Sequence, residues 1–310
     1  MAVTPDDPRG SLAGYLEVLA AAVLWGSSGI FSVHLFRRGL SPESVALLRP
    51  LVGVAFLAGM AALWKRRAFT VPLGGLAYLA GVGGGLTALF QVAYQVAIDR
   101  VGVPTTVALL YLAPAIVVAV AGPLLGERPS WRRVTLAALS VVGVWMTVLG
   151  AYGVDVELTT RGVAWGATAG ASYAGYTVFG RDAAPRYGSM ATVLWSTAGA
   201  CVILAGVVPF LGDGVGLPGA PGTWAILVAF GFLTIALAAF LFYDALGRIE
   251  AGRASVGSTL EPVVAALLAT WLLGQRLTPA GWVGLCLVVT GVAGAYAVRR
   301  DGPPDTPTHE

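Results

Sequence analysis

The placement of charge constrains this chain more than anything else in it. Ten apolar runs of about twenty residues succeed one another, near 12–35, 43–64, 72–97, 104–124, 130–150, 161–181, 189–211, 222–246, 253–274 and 279–298. The short stretches between them carry most of the charges and breakers, among them Arg37-Arg38, Lys65-Arg66-Arg67, Asp99-Arg100, Glu127-Arg128-Pro129 and Arg276 to Pro279. Hydrocarbon about 30 Å thick takes about 20 residues to cross as a helix, and it offers no water to exposed backbone groups. Each run is therefore long enough to cross. With 57% hydrophobic and 11% charged residues, the chain lacks the polar surface of a soluble domain. The alternation of an outer-membrane barrel is absent. The expected fold is an all-α integral membrane protein of ten transmembrane helices.

Residues 1–11 have neither the cationic start nor the cleavage site of a secretory signal, so the first segment is expected to stay in place. If ten helices return both ends to one side, thirteen of the nineteen basic residues lie on that side, five lie opposite, and Arg49 falls within the second run. The positive-inside rule then makes the tails 1–11 and 299–310 cytoplasmic. The basic residues form no continuous face, which argues against nucleic acid as a partner. Two cysteines in apolar segments give no metal pair and no disulfide framework.

Sliding the chain on itself by 148 residues, the offset from Leu112 to Leu260, aligns its two halves. Leu112-x-Pro114 falls on Leu260-x-Pro262, Gly126-x-Arg128 on Gly274-x-Arg276, Gly143-Val144 on Gly291-Val292, and Trp25 on Tyr173. The repeats are 12–150 and 161–298. Each holds five runs, an odd number, so the second enters with opposite polarity. Two inverted five-helix repeats about a midplane site are a recurrent plan of secondary transporters, though inverted duplications occur in channels too.

Within the runs, Glu17, Arg49 and Glu261 are costly in a bilayer and are functional candidates for that reason. Along its helix, Arg49 lies roughly 9 Å from one face and Glu261 roughly 12 Å from the other. They are expected either to pair with each other or to meet substrate groups, and the two readings are compatible if substrate competes for the pair. Pro114 and Pro262 stand at corresponding positions, where each removes a backbone donor and frees a carbonyl one turn earlier. Such paired interruptions mark candidate gating hinges. Glu261 is the first candidate for proton coupling, with Glu17 second, and uncoupled facilitated diffusion stays open. Gln91, Tyr94 and Gln95 share one helical face. Trp25, Ser28, Tyr111, Tyr173, Tyr176 and Tyr243 complete an expected amphipathic cavity for substrate, although ordinary packing explains any single aromatic better than a binding role does. The pairs Gly81/Gly85, Gly122/Gly126 and Gly166/Gly170 put small residues on single faces for helix contact.

These features together resemble the paired EamA domains of the drug/metabolite transporter superfamily. The resemblance is carried by Trp25-Gly26-Ser27, Arg49, the run from Leu112 to Glu127 and the run from Leu260 to Gln275, and it covers about residues 12–298. It implies an inner-membrane carrier without cofactor that moves small metabolites such as amino acids, amines or carboxylates, often outward. Gln275 departs from the pattern, which has glutamate there as at Glu127. An intramembrane enzyme is disfavoured: the histidines are His34 beside a loop and His309 in the tail, with no HExxH pair. The reading is thus a secondary transporter, with amino acids as the substrate the resemblance implies. Carriers of amines, carboxylates or a vitamin, and a non-transporting channel or scaffold, are the alternatives.

Overall fold

The computed structural model describes residues 8–113, 116, 131–153, 157–211, 214–246, 258 and 260–297. Helices α1 (Pro8–Gly26) and α2 (Ser28–Phe36) form one rod, and Gly39, at φ 86°, turns the chain into α3 (Pro42–Trp64). There Pro42 opens the helix and the Ser41 hydroxyl accepts the Ser44 N–H, the usual way to satisfy an orphan donor. Helix α4 (Leu73–Ala77) passes through a π turn (Tyr78–Gly83) into α5 (Gly84–Leu110). The first repeat's last helix is α6 (Trp131–Gly150). The second repeat holds α7 (Thr160–Tyr187), α8 (Ser189–Val207), α9 (Pro221–Gly231) with a π turn (Phe232–Leu237) into α10 (Ala238–Leu246), α11 (Leu260–Leu268) with its π turn (Ala269–Leu273), and α12 (Pro279–Ala297).

Among the described residues five stretches are long and apolar enough to cross a membrane: Leu12–Phe36, Pro42–Trp64, Leu73–Leu110, Ser189–Phe210 and Pro221–Phe242. Val134–Gly150, Leu260–Leu273 and Pro279–Gly291 are shorter apolar helices. The expected runs 104–124 and 253–274 lie partly outside the described residues, as does the hinge candidate Pro114. The runs expected at 72–97 and 104–124 join without a loop. Gly102 adopts φ 77° and ψ 172° inside α5, ahead of Pro104, and turns the chain there. That left-handed φ favours glycine. The break is sealed on both sides, because the Thr106 hydroxyl donates to the Gly102 carbonyl at 2.8 Å and Gln275 Oε1 accepts the Val103 N–H at 2.9 Å.

The seam between α6 and α12 exposes the symmetry of the fold. A Cβ on Gly143 would stand 2.6 Å from the Gly284 carbonyl oxygen and 2.7 Å from Val288 N. Its repeat counterpart Gly291 lies instead against Leu136 and Ser140, and these are the counterparts of Gly284 and Val288. Gly150 continues the seam on Gly281, so the helices run antiparallel. Equivalent residues that exchange partners across an antiparallel contact are related by a two-fold rotation. Beyond the helix ends Ala151–Gly153 pairs antiparallel with Gln275–Leu277. The described chain is thus mostly helical, with a two-repeat architecture.

One packing expectation fails. Gly81 and Gly85 have nothing within 4 Å of their Cβ positions. Gly83 and Gly84 make the contacts in their place, Gly83 against Phe179 and Ser196, Gly84 against Gly199 and Ala200. The π turn at Tyr78–Gly83 is the reason: its wider winding rotates the face that an ideal α-helical spacing would select. Gly166 and Gly170 do pack closely, both on Leu109. Gly122 and Gly126 lie outside the described residues.

Candidate functional site

Arg49, two turns into α3, is 3% exposed. Its Nε and Nη2 donate to Thr234 Oγ1 at 3.1 and 2.9 Å, and Nη1 donates to Gln91 Oε1 at 3.3 Å. The guanidinium carbon stands 4.4 Å from the centre of the Phe230 ring, on which Phe31 stacks. Such an aromatic face stabilises a desolvated cation. Thr234 sits in the π turn of the α9–α10 rod and is itself fixed, donating to the Phe230 carbonyl at 2.7 Å. The wide turn also leaves the Thr234 carbonyl open to the Trp25 indole N–H, at 3.0 Å. Single π turns of this kind are frequent at functional sites.

Glu261, in the first turn of α11, is 7% exposed. Its hydrogen-bond partner is Tyr111, whose hydroxyl lies 3.3 Å from Oε2 and donates to the Ser258 carbonyl at 2.8 Å. Ser258 stands four residues before Pro262, so its carbonyl is the one that a missing proline N–H releases. The expectation of a freed carbonyl is met here, and Tyr111 takes it. Arg49 and Glu261 do not pair: the hydrogen bonds of Arg49 go to Thr234 and Gln91, those of Glu261 to Tyr111. Glu261 nevertheless lies within electrostatic reach of Arg49, Tyr94 and Tyr111. One buried cation and one buried carboxyl thus lie within electrostatic reach of each other, each held by its own neutral partners.

The other candidates divide. Tyr94 is buried beside Phe90, which meets Tyr173, and all three belong to the cluster that holds Tyr111. Gln91 and Gln95 are buried one turn apart on the same face, and neither amide atom of Gln95 has a hydrogen-bond partner among the described residues. Ser28 is buried on α2. Tyr176 does not join the group. It packs on Phe179 with Tyr78 and Tyr187, because its place along α7 faces the α4–α5 rod near the π turn. Glu17 stands on α1 next to Val18, which packs with Ala245 in a cluster of its own. The side chain of Tyr243 lies outside the described residues.

Three contributors escaped sequence reasoning. Thr234 and Phe230 hold Arg49 from 185 and 181 residues away, and the one available signal is a threonine in the middle of an apolar run. Gln275, noted as a departure from the glutamate pattern, is fully buried and caps the break in the opposite repeat.

Comparison with known proteins fits this geometry. The family model described as EamA-like transporter family matches residues 12–149 and 160–297. The chain is 26% identical to the uncharacterized inner membrane transporter YicL of Salmonella typhimurium, over 90% of this chain and 93% of that protein. It is 29% identical to the uncharacterized transporter YwfM of Bacillus subtilis, over 92% and 94%. A protein of Streptantibioticus cattleyicolor described as a probable terminal-alkyne amino-acid exporter is 27% identical over 80% of each chain. A solved crystal structure 18% identical in sequence superposes with a TM-score of 0.66 over 91% of this chain and 96% of its own, and shows a shared fold. The chain is a multi-pass membrane protein and belongs to the EamA-like transporter family.

Proposed function

We propose that this protein is a secondary transporter of small metabolites, amino acids foremost, working outward across the inner membrane by alternating access. Arg49 meets the substrate carboxylate, while Glu261 meets the substrate amine or, in the empty carrier, holds a proton. The observation that carries this reading is the separation of the two charges. A purely structural Arg–Glu pair would collapse into direct contact, whereas these groups rest on threonine, glutamine and tyrosine partners. Neutral partners can be exchanged for a zwitterion of matching charge, and guanidinium suits the two-pronged recognition of a carboxylate. Three of the five Arg49 N–H groups are engaged, which leaves two for a ligand. The unpartnered Gln95 amide, one turn from Gln91, adds polar capacity on the same face.

The Tyr111 geometry supports a proton on Glu261. Tyrosine has a single hydroxyl proton, and the Ser258 carbonyl can only accept it. The hydroxyl can give that proton to Ser258 or to Glu261 Oε2, and while it goes to the carbonyl a protonated Glu261 can donate its own proton to the Tyr111 oxygen. Substrate arrival with an ammonium group would displace that proton. The likeness to an amino-acid exporter supports amino acids as substrate and export as direction. The count of basic residues supports cytoplasmic termini.

Counterflow of a labelled amino-acid mixture into proteoliposomes tests this function, with Glu261→Gln as the comparison. Saturable exchange, ranked by unlabelled competitors, is the expected result. No exchange of any amino acid by folded protein would overturn the substrate assignment and direct the same assay to amines, carboxylates and vitamins. Unsaturable flux would replace the carrier with a channel.

A further inference from the structure

A second site stands at the far end of α3. The Trp64 end of that helix lies 15 residues from Arg49, about 22 Å at ~1.5 Å per residue. Here α3, the start of α8 and α10 diverge around a cavity of about 670 Å³. Its floor is apolar, with Leu57 two turns below the helix end and Val193 opposite. Its rim carries three successive cations, Lys65, Arg66 and Arg67, against one carboxylate, Asp244. Arg66 Nε donates to the Ala62 carbonyl at 2.9 Å, which holds that guanidinium at the helix end. Among the described residues none of the three cations is engaged in an ion pair. Leu63 and Trp64 are 73% and 64% exposed beside the rim, so the cations stand where membrane-facing apolar surface ends. Tryptophan is enriched at that level of a bilayer.

An apolar floor at membrane depth beneath a cationic rim matches an amphiphile with a negative head. We propose that this fissure is a binding site for an anionic phospholipid, its phosphate against Lys65, Arg66 and Arg67 and an acyl chain over Leu57 and Val193. Inorganic phosphate would use the rim and leave the floor unfilled. A zwitterionic phospholipid would fill the floor, but its own ammonium would offset the charge the rim attracts. Basic clusters beside a membrane span attract anionic lipid in this way, and the attraction grows with each cation. The site is independent of the amino-acid reading, since no residue is shared with the Arg49 and Glu261 groups.

Native mass spectrometry of the full-length protein in mixed micelles of phosphatidylglycerol and phosphatidylcholine tests the proposal. The native protein should retain one phosphatidylglycerol with about a tenfold preference. The triple change Lys65→Gln, Arg66→Gln and Arg67→Gln should abolish that preference. Ala239→Trp, which fills the fissure without touching a charge, should reduce retention of the lipid, and millimolar inorganic phosphate should not displace it. Should Ala239→Trp fail to give monodisperse protein, Val193→Phe serves the same purpose. Equal retention of the two lipids would overturn the proposal. So would an equal loss on Arg37→Gln with Arg38→Gln at the opposite helix end, which would reveal general charge attraction. Displacement by phosphate, with Ala239→Trp harmless, would make it a phosphate site and overturn the lipid.

Discussion

Thr234→Val removes one hydroxyl and keeps the side-chain shape. That hydroxyl is the acceptor for two Arg49 donors, at 3.1 and 2.9 Å, and is anchored by its own bond to the Phe230 carbonyl. Hydrogen bonds to a charged group are worth about 1.5–3 kcal/mol each, and a buried donor left without an acceptor bears its full desolvation cost. Gln91 and the Phe230 ring remain, so part of the cation's surroundings survives. The expected loss is about 2–3 kcal/mol for the pair, below the sum of two bonds because the side chain can relax. This loss is present in the carrier with and without substrate, so it shows first in the stability of the empty protein. Melting of the purified protein should therefore drop by roughly 2–4 °C per kcal/mol lost. The half-saturation concentration for a carboxylate substrate should also rise about tenfold, since 1.4 kcal/mol of lost orientation corresponds to that factor. Fluorescence-detected size exclusion across temperature and counterflow titration read the two effects. Thr234→Ser, which keeps the acceptor, should restore both. Native-like melting and half-saturation in Thr234→Val, or equal damage in Thr234→Ser, would refute the assignment of Thr234 as the residue that orients Arg49.

Glu261→Gln should leave the protein folded and remove the pH dependence of counterflow, because the amide has no exchangeable carboxyl proton; a pH profile parallel to that of the native protein would take Glu261 out of the coupling step. Gln275→Leu should lower the melting temperature, since the buried Val103 N–H loses its acceptor at a cost of about 1–3 kcal/mol. Gln275→Glu keeps an acceptor and should melt higher than the leucine variant. Gly143→Leu should prevent recovery of monodisperse protein, because a Cβ there would meet the backbone of Gly284 and Val288, which no rotamer change can move; native-like melting of that variant would disprove the close α6–α12 seam.

The frame was legible because bilayer insertion forces a simple code: apolar runs for helices, charges between them. Two devices broke the code locally. At Gly102 two expected spans meet in a backbone turn rather than a loop, since the cap for Val103 comes from Gln275, 172 residues away. At Tyr78–Gly83 the π turn moved the close contact from Gly81 and Gly85 to Gly83 and Gly84. The titratable members of the site were legible because each charge in hydrocarbon needs a reason to be there. Their partners were not. Thr234 and Phe230 are ordinary residues in an apolar run, and only the fold brings them to Arg49. Tyr111 is one of several cavity aromatics in the sequence and is the hydrogen-bond partner of Glu261, through a proline effect that spacing alone pointed to without naming its recipient.

The duplicated frame and the unduplicated site answer different demands. The offset of 148 residues that carries Gly143 to Gly291 carries Arg49 to Thr197, Gln91 to Ala239 and Phe230 back to Val82. Glu261 and Thr234 correspond to Ala113 and Leu86. The central glycine of the seam thus persists in both halves, while every residue that holds the two charges occurs once. A two-fold frame allows two related conformations of similar energy, which alternating access needs. A symmetric site would offer a cation and a carboxyl at both related positions and would accept a zwitterion in either sense. With one Arg49 and one Glu261, the carboxylate and ammonium ends of such a substrate have one arrangement, set by Thr234 and Tyr111. Placing a second guanidinium by Thr197→Arg should therefore weaken exchange of zwitterions, by adding an unpaired cation to a position that is 5% exposed, and should not create a second site. Exchange that rises in this variant would mean that substrate is read by the symmetric frame rather than by the single-copy charges.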